Sequence, residues 1–90
     1  MRFYMIVKGI LPDPLLIGET SFKKFWPDQG MEALVDILNK DASLVELITI
    51  RDSSNHVWEI IDFVDMLVDK YDVVFRDNNA LRDSLHGNNT

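Results

Sequence analysis

The chain predicts a small two-layer α+β domain, with two helices packed on one face of an antiparallel sheet of three to four strands. Three observations lead there. The opening stretch Arg2–Ile10 is dense in aromatic and β-branched residues, the composition of a strand. Residues 59–75 carry apolar side chains at Ile60/Ile61, Val64, Leu67/Val68, Tyr71 and Val74/Phe75, the three-or-four-residue spacing of an amphipathic helix. Between them, Leu47–Ile50 is again β-branched and runs into Arg51-Asp-Ser-Ser-Asn55, a cluster of turn formers.

Taken in order, the first strand meets Leu11-Pro-Asp-Pro14, where two prolines fix φ and remove amide donors, so the chain turns. Residues 15–22 return as a second strand, with Gly18 at a bulge or a close approach. Residues 23–30 read as a connector punctuated by Pro27 and Gly30, with Asp28 placed to cap a helix over 31–40. Leu34, Ile37 and Leu38 give that helix its apolar face. Ser43-Leu-Val-Glu46 has the form of a capping box, but the β-branched residues after it favour a strand over 45–51. Residues 56–60 either pair back as a short strand or begin the long helix. A helix spans 61–71 and can extend through Phe75. A weaker one follows, continuing the stripe through Leu81 and Leu85 and stopping at Gly87. A hairpin–helix–hairpin–helix order suits this pattern better than a ferredoxin-like order, which needs a last strand over 73–76.

Ninety residues make one domain, expected over 1–87, with 88–90 a frayed tail. Hydrophobic residues at 47% and charged residues at 27% describe a folded chain, not a disordered one. Absence of cysteine excludes disulfides, thiolate metal sites and cysteine nucleophiles. No apolar run nears the ~20 residues of a membrane span, and Phe3–Val7 reads as a strand rather than a leader, so the expected compartment is the cytoplasm.

The formal charge of −6 is unevenly spread. Residues 1–27 hold four bases and two acids, residues 28–72 eleven acids and three bases, and residues 73–90 balance. Direct binding to a nucleic-acid backbone is disfavoured by that sign, and a basic protein partner fits it. The densest acids, Glu59, Asp62, Asp65, Asp69 and Asp72, repeat in step with the apolar stripe and out of phase with it, so they line the outer side of the long helix. They are the candidate partner-binding residues. The alternative is a solvated face with no partner. Only Lys70 lies near in sequence, and like charges at helical spacing repel by ~0.2–0.5 kcal/mol each, so an unneutralised row favours a binding role.

Other chemistry finds little footing. The acids show no calcium-loop spacing, and no metal site or cofactor is expected. His56 and His86 are far apart, and no nucleophile motif accompanies either. The four glycines are isolated, so there is no phosphate cradle. Phe22, Phe25 and Trp26 beside Lys23 and Lys24 suit helix-entry packing better than base stacking, and Trp26 also suits an exposed anchor for another protein. The expected function is therefore a non-catalytic acidic interaction module, of the adaptor, inhibitor or immunity type, that docks a basic partner surface. The alternative is a domain that binds a small ligand or peptide in an aromatic-lined pocket and pairs edge strands as a homodimer. An enzyme built on carboxylates and His56 has nothing positive behind it.

Overall fold

Strand β1 (Arg2–Val7) can lie at the centre of a sheet because every second residue is apolar. Phe3, Met5 and Val7 are buried on one face, and Tyr4 and Ile6 point to the other, half-buried. The computed structural model describes residues 1–87. It surrounds β1 with β2 (Leu15–Ser21), β3 (Lys24–Pro27), β4 (Ile48–Asp52) and β5 (Val57–Trp58), all antiparallel, in the order β3-β2-β1-β4-β5. Helices α1 (Gln29–Lys40), α2 (Ile60–Tyr71) and α3 (Asn78–Leu85) complete the described residues, with a short 3-10 helix at Ala42–Leu47. The expected tail over 88–90 lies outside the described residues.

The core lies on the Phe3/Met5/Val7 face. Opposite β1, Ile50 pairs with Met5 and Ile48 with Val7, so all four side chains point the same way. Met31, Leu34 and Leu38 of α1 close over them, as do Ile60, Phe63, Val64 and Leu67 of α2. Phe63 sits with its ring centroid 5.0 Å from Phe3. Full burial of each such side chain stabilises by about 1.5–3 kcal/mol relative to exposure. Helix α3 packs through Leu81 against this cluster. The opposite sheet face, with Tyr4, Leu16, Trp26 and Val57, has no helix over it among the described residues.

The α+β class, the antiparallel sheet and the hairpin–helix–hairpin–helix order therefore hold, with five strands where three to four were expected and a third helix after α2. The extra strand is β3, in the stretch read as a connector. Its partner register, Ser21 opposite Lys24 through Gly18 opposite Pro27, leaves Phe22 and Lys23 as a two-residue turn. Both have positive φ, 51° and 61°, as a type I′ hairpin demands. Neither is the Asn or Gly that normally marks such a turn, and Pro27 is admissible because β3 is an edge strand. The expected bulge is at Gly18: Phe3 faces Gly18 while Tyr4 faces Leu16, so Ile17 is the extra residue.

Two other boundaries move. The strand expected over 45–51 begins at Ile48, because Asp41 rather than Ser43 caps the preceding segment. Its Oδ1 accepts from the Ser43 amide at 3.0 Å and the Ser43 hydroxyl at 2.7 Å, which hold its carboxyl below the usual range, and residues 42–47 wind into the 3-10 helix. Helix α2 stops at Tyr71 and does not reach Phe75. Asp72 turns left-handed at φ 55°, and the amides of Asp72 and Val73 both donate to the Leu67 carbonyl.

One buried carboxylate fastens the β4–β5 hairpin. Asp52 is only 5% exposed and accepts three hydrogen bonds: from the Trp58 indole N–H at 2.9 Å, the Ser54 amide at 2.8 Å and the His56 amide at 3.0 Å. The Trp58 bond does most to hold this carboxyl below the usual carboxylate range. Burial opposes it, and the two amides add to it. Asparagine there offers one acceptor oxygen and turns an NH2 group on donors, so Asp52→Asn should cost about 1–3 kcal/mol at neutral pH. A depressed folded-state pKa stabilises above the unfolded value near ~3.9 and ceases to do so as pH falls through the folded value. The gap in melting temperature between wild type and Asp52→Asn should accordingly be full at pH 7 and close in acid. Thermal melts from pH 7 downward check this, and a gap that widens in acid contradicts it.

Candidate functional site

An open groove of about 840 Å³ lies between α1, β3 and the segment that joins α2 to α3. Three local features shape it. Gly30 brings the start of α1 directly onto β2, where a β-carbon would collide with the Leu16 carbonyl and the Ile17 backbone. Asp28 opens the helix, accepting from the Gln29 amide at 2.8 Å while its own amide donates to the Ile17 carbonyl at 2.7 Å. On the far side, the left-handed turn at Asp72 throws the chain off the α2 axis. Phe75 then returns to the core, its amide donating to Asn78 Oδ1 at 2.6 Å, and Val74 is left 83% exposed.

The groove is therefore greasy below and acidic above. Phe25, Met31, Val35 and Phe75 contribute apolar surface, and Asp28, Glu32, Asp36 and Asp72 contribute carboxylates against the single base Arg76. Among the described residues none of those four carboxylates has a salt-bridge partner. Three of them come from α1 and its cap, the fourth from the end of α2. Nothing in the sequence marked their convergence, because the two walls are separated by the whole of β4 and β5. In the sequence Asp28 reads only as a helix cap.

The acidic row expected along α2 is present but divided. Glu59 precedes the helix, exposed and without a capping hydrogen bond, and Asp62 is exposed in the first turn. Asp65 and Asp69 face α3. Arg82 reaches Asp65 Oδ1 at 3.2 Å and Asp69 Oδ1 at 3.5 Å, and His86 Nε2 lies 3.4 Å from Asp65. The expectation that only Lys70 neutralises the row is corrected: Arg82, thirteen residues past Asp69, was too far along the chain to be counted. Asp72 leaves the helical row and joins the groove instead.

The aromatic cluster is also divided. Phe25 turns inward, its ring 6.5 Å from Phe63. Trp26 turns outward onto the uncovered sheet face, with Lys24 Nζ 5.8 Å from its ring centre. Phe22 stands at the hairpin tip, 93% exposed. His56 stacks edge-on against Trp58 at 5.1 Å, and its nearest buried acid, Asp52, is lowered and committed to the hairpin. Among the described residues no group of three potential ligands is placed to hold a metal ion, and no helix is long and apolar enough to cross a membrane.

No family model, curated protein or solved structure matches this chain. The Arg82 bridge is half-exposed, so its loss is cheap, below about 1 kcal/mol. Arg82→Ala should leave the global melt nearly unchanged while speeding amide exchange in α3, and equal exchange rates in both proteins contradict this coupling of α3 to α2.

Proposed function

We propose that the chain is a non-catalytic interaction module that captures a basic segment of another protein in the groove between α1 and the segment following α2. The observation that carries this is the pairing of an apolar floor with four unpaired carboxylates. An acidic surface kept only for solubility is served as well by mixed signs and has no use for an apolar trough beneath it, here the half-buried Phe25 and Val35 over the core residues Met31 and Phe75. A segment that alternates Lys or Arg with bulky apolar residues satisfies both parts at once. Glu59 and Asp62, with what is left of the charge on Asp65 and Asp69, extend the negative field along α2 and draw such a partner in. Asp72 joins the groove from the end of α2.

The reading as a small-ligand domain keeps one observation in its favour, the aromatic side chains Phe25, Tyr71 and Phe75 along the groove. An open trough edged by uncompensated carboxylates suits an extended cationic chain better than an enclosed neutral molecule, which needs most of its surface buried.

Titration with a Lys/Leu-alternating peptide tests the proposal. Binding should weaken steeply between low and physiological salt. The double variant Glu32→Gln/Asp36→Asn should weaken it by about tenfold or more, with the melting temperature retained because both side chains are exposed. Neutralising Asp62 instead should slow association and leave dissociation nearly as it was. Binding that ignores the groove variant overturns the assignment.

A further inference from the structure

We infer that the hairpin tip Phe22-Lys23-Lys24 of a second copy of this chain is a natural occupant of the groove, each copy inserting its tip into the other. The inference rests on the groove reading above and names one occupant for it.

Two independent observations meet here. The first is the tip itself. Phe22 is 93% exposed, and Phe22 and Lys23 both hold positive φ, at 51° and 61°. A bulky L-residue is strained in that region, and an Asn-Gly pair makes the same turn without strain. Strain of this kind persists where the residue is used for something other than the turn. The chain presents an exposed aromatic ring at the turn of an edge hairpin, followed by Lys23 in the turn and by Lys24 at the start of β3, whose ammonium lies 5.8 Å from the Trp26 ring centre, and Phe22 contributes nothing to its own core.

The second is the fit of that chemistry to the groove: a ring for the Phe25/Met31/Phe75 floor, and two cations for Asp28, Glu32, Asp36 and Asp72. Tip and groove are also neighbours. Lys23, Lys70 and Tyr71 border a shallow hollow beside the tip, and Tyr71 borders the groove as well. A knob and a socket at the same end of the molecule allow a two-fold arrangement in which both are filled, so that association closes at two copies instead of running on as a fibre. Repulsion between two chains of −6 is screened beyond ~8 Å at physiological salt, whereas the tip lysines act at contact distance.

Sedimentation equilibrium of the full chain, from about 10 μM to about 1 mM, reads the association range expected of so small an interface. The mass should rise from 10.4 kDa toward twice that value. Phe22→Asn tolerates the left-handed turn, so it should raise the melting temperature while weakening self-association by about tenfold or more. Glu32→Lys should also weaken it, and adding Lys23→Glu to that variant should restore it by exchanging the charges. The Lys/Leu peptide should compete with the second copy. A chain that remains monomeric throughout the range, or a dimer indifferent to Phe22→Asn, overturns the inference. If the monomer still binds the peptide in the groove, the interaction-module reading stands and only its second-copy occupant falls. If neither binding is seen, both fall.

Discussion

The inward row of β1 is the constraint on which the rest of the molecule depends. Phe3, Met5 and Val7 can be removed from water only if strands flank them on both sides and helices lie across them. The first requirement recruits β2 from one side and β4 from the other, which places two hairpins back to back on a common centre. The second recruits α1 and α2, whose apolar stripes are wide enough to cover one sheet face and no more. Because α1 lies close on β2, a glycine is needed at position 30, and the left-handed Asp72 ends α2 and lets Phe75 return to the core. The groove is what remains between those two adjustments.

Acidic residues in this chain do distinct kinds of physical work beyond the capping by Asp28 and Asp41. Asp52 is buried and saturated with donors, so its charge is spent on holding a turn. Asp65 and Asp69 share Arg82, which ties the last helix to its predecessor. Among the described residues Asp28, which caps α1, and Glu32, Asp36 and Asp72 have no salt-bridge partner and border apolar surface, the feature on which the proposed docking role rests. A net charge says nothing about this division. It follows from which neighbours tertiary structure brings within reach.

Much of the fold was legible in the sequence, and the reasons are local. Alternation in β1, the prolines at 12 and 14, the turn cluster after Arg51 and the stripe in α2 each express themselves over fewer than about a dozen residues, the range of periodic patterning. Strand β3 was hidden because its turn uses Phe-Lys where Asn-Gly is the readable sign, and because its Pro27 resembles a loop residue. The end of α2 was hidden because an Asp, not a Gly, takes the left-handed position. The candidate site was legible only in part. The acids of α2 were found, but their engagement by Arg82 and the assembly of the groove from α1 and residues 71–76 depend on packing between segments distant along the chain.

The two borders of the sheet carry a consequence for how this molecule can meet others. One ends in a proline and begins with a lysine, and the other is a strand of just two residues. Neither offers a long ladder of unused amides and carbonyls onto which a foreign strand can be added. Such borders disfavour recognition through continuous backbone pairing and leave side-chain shape and charge as the readable features, which can distinguish one sequence from another where a bare peptide backbone cannot.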